Sequence, residues 1–306
     1  MREDYRNQVS LLLSILPEVA KEACFALHGG TAINLFIRDM PRLSVDIDLT
    51  YLPLEDYETS LMHINDALKR IVVSVRKVLP DSNIHHDEVN CKLVVNDKRG
   101  AVKVEVSLMG RGSIYEPQAM QLCRKAQEEF DAYVEVKVLN YGLLFGGKIC
   151  AALDRQHPRD LFDVLYLMNN EGFSDQVKTG FLFYLISHSR PMHEMLSPHM
   201  QDQRRALENQ FSGMTAESFT YNQYEKTRSL LIEVIHQRLT ERDRIFLMTI
   251  LKLQPDWTIY DFKDYPGIKW KLLNLEKLKS GNPDKYQFMI DQLQSVLYPG
   301  NNLTLK

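Results

Sequence analysis

His28-Gly29-Gly30-Thr31-Ala32-Ile33-Asn34-Leu35-Phe36-Ile37-Arg38-Asp39-Met40-Pro41-Arg42-Leu43-Ser44-Val45-Asp46-Ile47-Asp48-Leu49 is the stretch that decides how this chain is read. Asp46 and Asp48 flank one apolar residue in a run that continues to Tyr51. On a strand, side chains two apart share a face, so both carboxylates converge. Two like charges held together are costly unless a cation lies between them, and a hard divalent ion with oxygen ligands is the usual partner. Upstream, Gly29-Gly30-Thr31 opens a helical stretch. Glycines let backbone N–H groups approach a phosphate closely, and a helix start favours negative charge. A phosphate cradle beside cation-binding carboxylates points to nucleotide chemistry.

Outward from this stretch, apolar periodicity supplies the remaining elements. Residues 5–22 read as an amphipathic helix, with Val9, Leu12, Leu13, Ile15 and Leu16 as its stripe, and residues 25–28 as a short strand ending at the diglycine. Residues 45–51 form the carboxylate strand. A long helix over 54–78 is stopped by Pro80. Strands are expected over 89–95 and 101–108, joined by a hairpin turn at 96–100. Residues 118–129 read as helix, 134–138 as a half-buried strand, and 141–153 and 158–168 as helices, the second begun by Pro158. Strands and helices alternate to about residue 140, and helical periodicity dominates from Asp175. The expectation is an α/β (α+β) arrangement: a mixed sheet flanked by helices in a domain over 1–168, then a helical domain over 169–306.

Composition sets limits on function. The net charge of −3 over 306 residues excludes a generally basic nucleic-acid coat protein and leaves room for a local basic patch. Cys24, Cys91, Cys123 and Cys150 lie far apart without metal-ligand spacing, which fits a reducing cytoplasm. Neither a signal peptide nor an apolar run of membrane-spanning length is read in the sequence.

Three segments carry a resemblance: Gly29-Gly30-Thr31-Ala32, then Arg42-x-Ser44-x-Asp46-Ile47-Asp48-Leu49, and later Arg159-Asp160-Leu161-Phe162-Asp163-Val164. Together they resemble the nucleotidyltransferase superfamily and, within it, the AbiEii-type toxins of type IV toxin–antitoxin systems. The resemblance implies a nucleotidyltransferase fold for the N-terminal domain and Mg2+ (or Mn2+) held by Asp46 and Asp48. It implies an NTP substrate bound through Gly29, Gly30, Thr31, Arg42, Ser44 and Lys148. Asp46, Asp48, Lys148 and Asp163 would then be the catalytic set. It further implies the 3′ end of tRNA as acceptor, with arrest of translation and growth, and a cognate antitoxin as partner. An enzyme acting on a protein or an antibiotic would share the cradle and carboxylates, and a non-catalytic nucleotide-binding module would share the fold.

Several residues admit two readings. Val102 to Ser107 alternates, placing Lys103, Glu105 and Ser107 on one face. Glu105 is then either the superfamily's third metal-binding carboxylate or half of a solvated Lys–Glu pair. Thr31 serves the triphosphate, a helix N-cap, or both. Arg159 and Asp163 are i,i+4 and make either an ordinary helix pair or part of the site. His85-His86-Asp87-Glu88 reads as a turn rather than a metal cluster. In the helix over 266–279, Lys269, Lys271, Lys277 and Lys279 add a basic character that is either an ordinary solvated face or, if the substrate is RNA, a surface for its backbone with Trp270 as a stacking group.

Overall fold

Strand β1 (Phe25–His28) and strand β2 (Asp46–Tyr51) pair antiparallel, with Leu27 opposite Leu49 and His28 opposite Asp48. The computed structural model describes residues 2–300; Met1 and the last residues of the expected helical domain, 301–306, lie outside that range. Five further strands follow: β3 (Asn83–Asp87), β4 (Lys92–Asp97), β5 (Gly100–Ser107), β6 (Gln118–Gln121) and β7 (Glu135–Val138). They form one seven-stranded sheet in the order β3-β4-β5-β2-β1-β7-β6. The β2–β5 and β1–β7 pairs are parallel and the others antiparallel, so the sheet is mixed, as expected.

Alternation gives the sheet two unlike faces. Leu27, Ile47, Leu49, Leu93, Val95, Val104 and Val106 are buried on one. Their neighbours His28, Asp48, Glu105 and Lys92, each opposite the next, occupy the other and are half-buried. The apolar face is where removing side-chain volume is expensive: truncating Ile47 to Ala would cost about 2–5 kcal/mol.

The helices are α1 (Glu3–Val19), α2 (Gly29–Ala32), α3 (Tyr57–Val78), α4 (Arg124–Phe130), α5 (Tyr141–Asp154), α6 (Pro158–Asn169), α7 (Asp175–Ser187), α8 (Met192–Leu196), α9 (Arg204–Ala206), α10 (Tyr221–Arg238), α11 (Glu241–Leu251), α12 (Pro266–Gly281) and α13 (Pro283–Leu297). Helix α2 runs on into a π-helical turn, Ile33–Ile37. Helix α1 packs against β5, β2 and α3 through its apolar stripe, with Leu12, Ile15 and Leu16 at most 1% exposed. None of the helices among the described residues is long and apolar enough to cross a membrane.

The chain falls into two compact units. One holds everything up to Leu144 together with Arg205–Phe219; the other holds Phe145–Arg204 and the chain from Thr220 onward. Within the second unit, α5 and α7 cross closely enough that a Cβ on Gly146 would lie 2.3 Å from the carbonyl carbon of Gly180.

Three expectations need correction. Residues 83–87, read partly as a turn, form β3, and the turn falls after it, with Val89 78% exposed. Residues 118–121, read as helix, form β6, and the helix begins only at Arg124. Lys271 does not join the basic face of α12: it is buried, and its Nζ donates to the carbonyls of His188 (2.7 Å) and Arg190 (3.2 Å). Burial lowers its pKa to about 8.

Candidate active site

The local fold at the diglycine is dictated by what lies against it. Gly29 has φ +72°, a backbone conformation that favours glycine, and a Cβ there would meet Oδ2 of Asp48 at 2.2 Å. A Cβ on Gly30 would lie 2.8 Å from Nη2 of Arg42 and 2.9 Å from Oγ of Ser44. Two missing side chains therefore admit a carboxylate, a guanidinium and a hydroxyl to the same few ångströms of backbone. Gly29, Gly30, Arg42, Ser44 and Asp48, separate in sequence, are brought together.

The loop between the π turn and β2 makes this possible. Met40 turns the chain at φ +52°, with its amide donating to the Asn34 carbonyl at 2.9 Å. Arg42 returns 2% exposed, its Nη1 donating to the Leu43 carbonyl at 2.9 Å. A distant segment braces the loop from outside. Arg42 forms a β-bridge with Thr215, the Leu43 amide donates to the Met214 carbonyl at 2.7 Å, and the Thr215 hydroxyl donates to the Pro41 carbonyl at 2.9 Å. No sequence signal marked residues 213–215 as part of this neighbourhood.

Thr31 is not the N-cap; His28 holds that position. Thr31 is fully buried, and its hydroxyl lies 3.0 Å from Ser44 Oγ and 2.5 Å from the Asp46 carbonyl. It ties the helical turn to the carboxylate strand.

Asp46 and Asp48 are both half-buried on the polar face of β2, while Ile47 between them is fully buried. Among the described residues no hydrogen bond or ion pair engages the Asp48 side chain, which leaves its acceptor oxygens to a ligand. No group of three or more His, Cys, Asp or Glu side chains is gathered as a metal cage among the described residues. Glu105 stands directly beside Asp48 across the β2–β5 ladder and is ion-paired with Lys92 of β4. An open cleft of about 480 Å³ is lined by His28, Asp48, Lys92 and Glu105, with Asp87, Asn90, Val106 and Ser107 completing it.

Lys148 and Asp163 also meet, within the second unit. Lys148 Nζ lies 2.9 Å from Asp160 Oδ1 and 3.0 Å from Asp163 Oδ2, with all three side chains at most 6% exposed. Arg155 adds a second cation to Asp160, at 2.6 Å and 3.0 Å. Burial acts to raise the Asp160 carboxyl, but Lys148 and Arg155 outweigh it and hold it well below the ordinary carboxylate range. Lys148 is thus an ion-pair partner of Asp163, where the sequence offered Arg159. Arg155, exposed in the turn that follows α5, carried no sequence signal. The His157 ring caps α6 by accepting the Arg159 amide at 3.1 Å.

Residues 10–272 match the family described as nucleotidyl transferase AbiEii toxin of type IV toxin–antitoxin systems. No curated protein matches the sequence. Among solved structures, MenT4, a nucleotidyltransferase toxin from Mycobacterium tuberculosis H37Rv, is similar over 89% of this chain and 93% of its own, with a TM-score of 0.60 at 12% identity. At that identity the likeness concerns the fold. The family match spans most of the chain, from within α1 to α12, and includes every residue of the cradle, the paired carboxylates and the Lys148 cluster. The chain belongs to the AbiEii family of nucleotidyltransferase toxins.

Proposed function

We propose that this toxin transfers a nucleotidyl group from an NTP to the 3′ end of tRNA, so that aminoacylation, translation and growth stop. The observation that carries the reading is the packing of Asp48 on Gly29 with Arg42 and Ser44 on Gly30, which joins an anion cradle to a carboxylate. In this reading the NTP triphosphate lies on the Gly29–Thr31 backbone, where Arg42 neutralises charge and Ser44 donates a hydrogen bond. Asp46 and Asp48 would hold the divalent ion, Mg2+ or Mn2+, with Glu105 as the third carboxylate at hand. When bound, that ion supplies Lewis acidity at the reacting phosphate. The acceptor hydroxyl oxygen bonds to the α-phosphorus, the bond from that phosphorus to the bridging oxygen breaks, pyrophosphate leaves and the hydroxyl proton passes to solvent. By the family resemblance, Lys148 would contact the nucleotide and, with Asp163, serve catalysis. In this reading the nucleotidyltransferase domain would span 1–168 and the helical domain 169–306, a functional division that differs from the two compact units, and the protein would act in the cytoplasm.

The test is incubation with each α-labelled NTP in turn and with separate tRNA, protein and aminoglycoside pools. Label should enter tRNA at its 3′ end. Label entering the protein or antibiotic pool would replace the acceptor and keep the chemistry. Metal-independent nucleotide binding without turnover would replace the enzyme by a binding module.

A further inference from the structure

The polar face of the sheet carries a row that no motif announces. Asp87, Lys92, Glu105, Asp48 and His28 stand directly opposite one another across β3, β4, β5, β2 and β1. All five line the same cleft. Asp87 is consumed locally: its carboxylate accepts the amides of Val89 and Asn90, both at 3.1 Å, and so closes the β3–β4 turn. Lys92 is different. Among the described residues that line the cleft it is the only lysine or arginine, and its side chain, 26% exposed, is fixed by the ion pair to Glu105.

The cradle lies on the β1 side of Asp48, because Gly29 follows β1 and packs on that carboxylate. Phosphoryl displacement runs in line, so the entering oxygen comes from the side opposite the departing pyrophosphate. That side is the ledge of β5 and β4. An acceptor hydroxyl placed at the β2 carboxylates has Lys92 two strand spacings away, about 10 Å between backbones, which a lysine side chain shortens. A nucleic-acid 3′ end carries an anion one ribose from the hydroxyl, within reach of that distance. A serine, threonine or tyrosine acceptor has no such anion. We infer that Lys92, positioned by Glu105, binds the phosphodiester that precedes the acceptor's 3′-terminal nucleoside, and so selects nucleic-acid ends over other hydroxyls. This rests on the reading of a nucleic-acid 3′ end as acceptor.

The experiment removes each charge in turn. The probe is a fluorescent single-stranded RNA with a non-reactive 3′-deoxy end, bound without NTP or metal, as the normal chain and with a neutral methylphosphonate at its last linkage. Lys92→Gln should weaken binding of the normal RNA about 10-fold and lower the slope of log affinity against log salt by about one phosphate contact. The methylphosphonate should weaken binding to the wild-type protein by a similar factor. Combined, the two changes should cost little more than either alone, and Lys92→Arg should restore most of the affinity. Additive losses, or an unchanged affinity for the neutralised RNA, overturn the inference, and the neutralised RNA decides this even if Lys92→Gln fails to fold. Should the wild-type protein label tRNA while Lys92 proves indifferent, the acceptor reading stands and this inference falls. A wild-type protein that neither binds nor labels RNA removes both.

Discussion

Gly29 and Asp48 are nineteen positions apart and yet cannot be varied independently. Asp46→Ala and Asp48→Ala should each lower nucleotidyl transfer by more than about 100-fold. Both side chains are half-exposed on a strand whose stability comes from Ile47 and Leu49, so the unfolding midpoint should move by no more than about 2 °C. Steady-state transfer and thermal melting of each variant check this, and retained activity in either would refute the site. Gly29→Ala should instead lose activity and stability together. It places a Cβ on the Asp48 carboxylate and strains a left-handed backbone, at a cost of about 1–3 kcal/mol in denaturant melts. The diglycine and the paired aspartates are legible in the sequence because their pattern is local, and the fold sets Gly29 against Asp48. The residue reading does not disclose the Lys92–Glu105 ion pair, because the charge of a strand residue says nothing about its neighbours until pairing register is known. It misjudged Lys271 for a related reason: a lysine on a helix is solvated by default, and only the carbonyls of His188 and Arg190 make burial tolerable.

At the level of elements, the strands found and missed divide along a physical line. β2, β4, β5 and β7 alternate apolar and polar residues because one face of each meets the core. β3 and β6 are the two outermost strands of the sheet, and neither contains a fully buried residue. An edge strand is often polar on both faces, which protects the sheet against further pairing and also erases its period. Helices α5 and α6 were legible throughout, but their ionic cluster was not. Asp160 is the member on which the cluster depends. Its carboxyl is held below the usual range, so its contribution is complete at neutral pH and is lost only as the pH falls through that lowered value. Asp160→Asn should destabilise the protein at pH 7 by about 2–3 kcal/mol and flatten the acid end of its stability profile, measured by denaturant melts from pH 7 downward. Gly146→Ala tests the packing beside it. With the Gly180 backbone 2.3 Å from the added methyl, the α5–α7 crossing must open, at about 1–3 kcal/mol or more. A variant as stable as wild type would show that the crossing yields freely.

For the molecule as a whole, the proposed role of Asp46 and Asp48 as holders of the ion carries a prediction about chelation. A chelator should therefore stop transfer, and added Mg2+ or Mn2+ should restore it, while the melting temperature in the absence of NTP shifts by less than about 2 °C. A large loss of stability on chelation would mean that the ion is structural. The fold class was legible because the alternation of elements changes character near residue 140, whereas the return of residues 205–219 to the first unit left no trace in periodicity. That return has a temporal consequence. Thr215 and Met214 clasp the loop that carries Arg42, yet they emerge from the ribosome some 170 residues after it. A nascent chain therefore carries the Arg42 loop unbraced until residues 214 and 215 have emerged and folded back onto it.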